Sequence, residues 1–138
     1  ALCGPLEFIE NARRFRKMLG GGMRQVGILA AACLYGLDHN VERLEVDHQN
    51  AKRLAHGLAG IDGIQIDSQQ VVTNIVLFDV SGTPMDATTF SHGLALESVL
   101  VIPFGPTTVR VVTHLDVSSK DIDRALEIIG SFVKSSSG

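Results

Sequence analysis

Between Leu6 and Leu19 the apolar residues Phe8, Ile9, Ala12, Phe15 and Leu19 fall near helical spacing behind Pro5, which predicts one amphipathic helix. Gly20-Gly21-Gly22 ends it. The segment from Met23 to about Leu37 predicts a second helix, apolar on nearly every side through Val26, Ile28, Leu29, Ala30–Cys33, Leu34 and Tyr35. Such a helix is buried all round, and a chain of this size has few places to cover it. The pattern therefore predicts a partner surface, either another subunit or a further domain. Past Asp38-His39-Asn40 the pattern turns amphipathic, with Val41, Leu44, His48, Ala51, Ala55 and Leu58 on one stripe before Gly57 and Gly60. One bent helix and two helices capped near Asp38 or Asn40 are both compatible with it.

Beyond residue 60 the texture becomes β-branched. Ile64–Ile66, Val71–Val80, Val99–Ile102 and Thr108–Thr113 predict strands, with Pro103-Phe104-Gly105-Pro106 as a turn. Thr83, Pro84 and Asp86 fit the N-cap, N1 and N3 positions of a short helix reaching about Leu96. Ser118 and Asp121 open a closing helix whose stripe is Ile122, Ala125, Leu126, Ile129, Phe132 and Val133. Helices followed by strand, strand, helix, strand, strand and helix predict an α+β fold: long helices and one small, mostly antiparallel sheet with helices packed on one face. The division expected is a helical segment over 1–40, an α+β domain over 41–134 and an irregular tail over 135–138.

Composition narrows the picture modestly. With 138 residues, 45% of them apolar and 20% charged, the chain can bury a core and is not of the disordered class. Cys3 and Cys33 lack metal or disulfide-framework spacing and read as free thiols. The most apolar run is too short to cross a membrane, and no secretory pattern opens the chain. An intracellular, cytoplasmic protein is expected. The net charge of -3 gives no general reason to bind nucleic acid or an anionic membrane. Charge is, however, unevenly placed. Arg13, Arg14, Arg16, Lys17 and Arg24 lie in a stretch without an acid, whereas the rest of the chain carries seven basic and fifteen acidic residues.

Two places could carry chemistry. In Arg16–Gln25 three glycines leave the backbone bare and lead toward a helix start, where free N–H groups and the dipole attract anions. Arg24 in that first turn conflicts with the dipole unless an anion such as phosphate or carboxylate is bound. A flexible linker with Arg24 in water is the other reading, and charge alone does not separate the two. In Val109–His114, strand alternation puts Val109, Val111 and Thr113 on one face and Arg110, Val112 and His114 on the other. Arg110 is the only charge between Glu97 and Asp116. Either this is an edge strand with Arg110 in solvent or paired to Asp79 or Asp116, or its fork is free for a ligand carboxylate. Of the five histidines, His48 sits on the helical stripe and is expected to pack there with one hydrogen bond; none has ligand spacing, so no metal is expected.

Arg16-Lys17-Met18-Leu19-Gly20-Gly21-Gly22-Met23-Arg24-Gln25, the Ala-rich run after it and Leu37-Asp38-His39-Asn40 resemble the threonine aldolases. Thr73-Asn74-Ile75-Val76 and Arg110–Val117 resemble two further blocks of that family, in the same order. The resemblance implies the small C-terminal domain of a fold-type I enzyme dependent on pyridoxal phosphate, cleaving threonine or allo-threonine to glycine and acetaldehyde. It assigns Arg110 to the substrate α-carboxylate, and Lys17 and Arg24 to the cofactor phosphate, in a homodimer or homotetramer with sites between subunits. It places the Schiff-base lysine before the stretch resembling Ala1–Lys17, so no catalytic residue is assigned within this chain and the chain alone is expected to be inactive. Alternatives are the small domain of another lyase or aminotransferase of that fold, and a non-catalytic module for anion binding or dimerisation.

Overall fold

The computed structural model describes residues 2–136, and the chain divides into two compact units between Val41 and Glu42. In the first, α1 spans Leu6–Met18 and α2 spans Gly27–His39, and neither helix has a buried residue. α1 ends where expected, and Gly20 is the cause. Its φ of +76° lets its N–H reach the Lys17 carbonyl (3.2 Å) while Gly21 N–H reaches the Arg16 carbonyl (2.8 Å). This paired arrangement is a Schellman cap, which needs a left-handed residue that glycine supplies without strain. α2 starts later than the pattern predicts: Arg24–Val26 form a turn and Gln25 takes a φ of +55°. Arg24 therefore precedes the helix rather than occupying its first turn.

The second unit runs α3 (Leu44–Ala59), a 3₁₀ turn at Ser68–Gln70, β1 (Ile75–Asp79), α4 (Ala87–Leu96), β2 (Ile102–Pro103), β3 (Thr108–Val112) and α5 (Ser119–Ser136). α2 and α3 are thus separate helices, which settles the alternative left by the pattern. The sheet order is β1-β3-β2, with β3 antiparallel to both neighbours. The fold is α+β, with helices on one face of a small antiparallel sheet. The predicted strands are trimmed. Ile64–Ile66 contributes one bridge, Gln65 to Asp79, and Val99–Val101 stay outside the ladder although Val99 and Val101 pack against the core.

Buried Ala51, Leu54, Ala55 and Leu58 of α3, Phe90 and Leu94 of α4, and Ile122, Ile129 and Val133 of α5 meet Val76, Phe78 and Val109 of the sheet. The N-terminal end of α3 departs from the expected stripe. Leu44 is exposed and His48 half-buried, without a hydrogen bond among the described residues, whereas Asp47 and Asn50 are buried. The α4 cap also moves. Asp86, not Thr83, accepts from Thr89 N–H (2.7 Å), and the Thr83 hydroxyl closes the preceding turn by donating to the Val80 carbonyl. At α5 the expected box forms: Ser118 N–H donates to Asp121 and Asp121 N–H donates to the Ser118 hydroxyl. Ser135 and Ser136, expected in an irregular tail, continue α5 and donate to the Phe132 carbonyl; Ser137 and Gly138 lie outside the described residues.

The caps have a pH signature. Hydrogen bonds from Thr89 hold the Asp86 carboxyl below its ordinary value, and those from Ser118 do the same for Asp121. A depressed folded-state pKa means that the stabilisation is complete above the unfolded value, near pH 4, and is lost as pH falls through the folded one. The urea midpoint is expected to fall below pH 4, and Asp86→Asn with Asp121→Asn should flatten that fall.

Candidate functional site

The core-facing side of the sheet is closed; the other side is open. Register places Ile75 opposite Val112, Leu77 opposite Arg110 and Ile102 opposite Arg110, so these residues share one face. Its apolar members are exposed: Ile75, Leu77, Ile102 and Val112 all keep more than a third of their surface in solvent. Alternation in Val109–His114 therefore runs as the sequence indicated, with Val109 and Thr113 buried and Arg110 on the opposite side.

Arg110 is half-buried at the centre of this face, on the middle strand. Its two cross-strand neighbours, Leu77 and Ile102, offer no acceptor. Neither carboxylate named as a possible partner engages it. Asp79 accepts from the Thr107 hydroxyl (2.6 Å) and from Ser81 N–H (2.8 Å), and these contacts with Ser81 and Thr107 hold its carboxyl below the ordinary range. Asp116 instead lies beside His114, whose Nδ1 is 3.7 Å from a carboxylate oxygen. Arg110 Nε is buried without a hydrogen-bond partner among the described residues. The guanidinium carbon lies 5.8 Å from the centroid of the Phe104 ring. A buried donor without an acceptor is costly, by about 1–3 kcal/mol. Arg110 is therefore a planar cation in an apolar setting whose Nε is not used internally among the described residues.

A polar latch fixes the strand that carries it. Thr113 N–H donates to the Asn74 carbonyl (3.0 Å), and Asn74 Nδ2 donates back to the Thr113 carbonyl (2.8 Å). The Thr113 hydroxyl donates to the Asp47 carbonyl (2.7 Å), while Asn50 Nδ2 reaches the Val117 carbonyl (3.1 Å). Arg43 holds the buried Asp47 carboxylate through both oxygens, at 2.9 and 3.1 Å. Sequence reasoning missed Asp47 and Asn50. Their only signal was two polar residues interleaved with the apolar stripe.

In the first unit, Lys17 is in the last turn of α1 and Arg24 in the turn before α2, one on each side of the glycines. Gly22 lies against the Lys17 stem: a Cβ there would be 3.2 Å from Lys17 Cδ. The glycine run is thus folded over the end of α1 rather than extended. Among the described residues, none of Arg13, Arg14, Arg16, Lys17 and Arg24 is in an ion pair. Lys52, Lys120 and Lys134, like Lys17, are exposed. Cys3 and Cys33 are exposed and unbonded, and no described helix is long and apolar enough to cross a membrane.

Residues 1–81 match the model of the beta-eliminating lyase family. The chain belongs to that family. Low specificity L-threonine aldolase of Escherichia coli (strain K12) is 42% identical over 123 residues, covering 88% of this chain and 34% of that protein. Probable low-specificity L-threonine aldolase 2 of Arabidopsis thaliana is 40% identical over 126 residues, 91% of this chain and 36% of that protein. The resemblance to threonine aldolases read from the motifs is therefore met across nearly the whole lyase-family chain. The chain spans about a third of the length of these relatives. A solved structure of MppP soaked with the product 2-ketoarginine superposes with a TM-score of 0.56 at 14% identity, over 72% of this chain and 30% of that one. That likeness is one of fold.

Proposed function

We propose that this chain supplies the substrate-carboxylate arginine and part of the phosphate-binding surface of a threonine aldolase that uses pyridoxal phosphate. The observation that carries the reading is Arg110: a half-buried guanidinium with an unpartnered Nε, central on an open apolar face. An amino-acid carboxylate satisfies its donors, and the bidentate fork fixes the carboxylate plane. Fixing that plane restricts how the substrate's Cα substituents turn, which selects the Cα–Cβ bond for cleavage.

The residues also fit the cofactor's anionic end. Lys17 and Arg24 flank bare backbone and belong to a cluster without carboxylate partners, which suits a phosphate group. Pyridoxal phosphate, when bound, supplies an electron sink for the charge left at Cα as the bond to Cβ breaks. The exposed apolar surface of α1 and α2 supports a homo-oligomeric assembly in which these cations serve a site shared with another subunit.

The complete enzyme is expected to release acetaldehyde and glycine from L-threonine or L-allo-threonine when supplied with pyridoxal phosphate. The isolated chain, none of whose lysines the motifs assign to holding the cofactor ring, is expected to release no acetaldehyde. A coupled alcohol dehydrogenase assay reads both. Turnover by the isolated chain would refute its inactivity, and a complete enzyme inert on both substrates would refute the reaction.

A further inference from the structure

The geometry points to Phe104 as the positioning residue that sets the plane of the Arg110 guanidinium for its carboxylate. This rests on Arg110 being the carboxylate receptor. The Phe104 ring lies 5.8 Å from the guanidinium carbon, within the range in which a ring face attracts a cation. Register explains the contact. The β2–β3 ladder pairs Ile102 with Arg110, and Phe104 N–H donates to the Thr108 carbonyl (2.8 Å) one step further along the same pairing. Phe104 is thus on the same face as Arg110, as its diagonal neighbour.

Nothing else among the described residues holds the guanidinium. Leu77 and Ile102 are aliphatic, and Nε has no acceptor. Without Phe104 the guanidinium would lose its ring contact, and a carboxylate would have to order it on binding. Phe104 itself is held by backbone bonds, because Gly105 N–H also reaches the Thr108 carbonyl (3.2 Å). The turn therefore does not depend on the identity of the side chain. A leucine there keeps the turn and much of the volume but removes the ring face that the cation sits against.

The test uses the complete holoenzyme and two small probes, glycine and glycinamide, with affinities read by calorimetry. Glycinamide lacks the carboxylate and reports every contact except the one to Arg110. Phe104→Leu is expected to weaken glycine about two- to fivefold, the range for an exposed cation–ring contact, and to leave glycinamide unchanged. Phe104→Tyr, which keeps the ring, should restore glycine affinity. Equal weakening of both probes would make Phe104 a merely structural residue and overturn the inference, as would unchanged glycine affinity. Arg110→Ala separates the two readings. If it leaves glycine affinity unaltered, the carboxylate assignment falls; if it weakens glycine while Phe104→Leu does not, only the role of Phe104 falls.

Discussion

Arg110→Ala in the complete enzyme is expected to lower kcat/KM for threonine a hundredfold or more while leaving the folded state nearly as stable. A bidentate carboxylate–arginine pair contains two charge-assisted hydrogen bonds, each contributing roughly 1.5–3 kcal/mol. Losing both leaves a substrate carboxylate desolvated against Leu77, Ile102 and Val112 with no cation to receive it. Stability should respond differently. Nε is already a buried donor without a partner, so truncation removes an unfavourable group along with the favourable ring contact to Phe104. Arg110→Lys is the informative intermediate. It keeps the charge but presents a point donor in place of a planar fork, so it should recover only part of the loss. Steady-state kinetics with threonine, beside a urea titration of each variant, reads both quantities. A kcat/KM within threefold of the parent for Arg110→Ala would mean that the carboxylate binds elsewhere.

The features legible in advance are those governed by neighbours in sequence. The start of α1 behind Pro5, the Ser118–Asp121 box and the facing of Arg110 away from Val109 follow from local spacing, and all three hold. Where a residue's role depends on distant chain, sequence spacing misleads. Asp47 and Asn50 look like solvent-facing positions on α3, yet the Asp47 carbonyl and the Asn50 side chain meet Thr113 and Val117, 66 and 67 residues away. Burial there follows from satisfied polar groups rather than hydropathy. Val99–Val101 fail in the opposite direction. Their apolar character reflects packing against the core by Val99 and Val101, not pairing with β3. The Arg24 turn shows a third limit. The late start of α2 depends on the positive φ at Gln25, a conformation that residue type does not announce. Spacing thus indicated the face of β3 that carries Arg110, and in the first unit the glycine run between Lys17 and Arg24, but not the latch that steadies β3 or the ring beside the guanidinium.

Phe90→Ala is expected to be the most destabilising single change of those considered, at about 3–5 kcal/mol, because it removes the ring on which three elements of the second unit converge. Phe90 of α4 is fully buried. Its ring stands edge-to-face with Phe78 of β1 (centroids 6.0 Å apart) and with Phe132 of α5 (5.7 Å). The space cannot be refilled easily from α4. A Cβ at Gly93, on the same helix, would already overlap the Phe132 ring, so the two helices have little freedom to slide together. The cavity term therefore adds to the lost transfer energy rather than relaxing away. A typical domain has only about 5–15 kcal/mol in total, so this one ring is a large share. The Arg53–Asp123 pair offers a contrast: at 2.6 Å it is short, but both side chains are about half exposed, which limits it to roughly 0–1 kcal/mol. Urea titration of Phe90→Ala beside Arg53→Ala ranks them. The loss should also reach the site, since Ala87 N–H at the start of α4 donates to the Pro106 carbonyl (2.9 Å) in the turn that carries Phe104. Phe90→Ala is thus expected to loosen that turn before the second unit unfolds, and Phe90→Leu, which fills most of the volume, to do so far less. A Phe90→Ala cost under 1 kcal/mol would mean that the three rings do not form a common core, and that α4 is not what holds the β2–β3 turn beside Arg110.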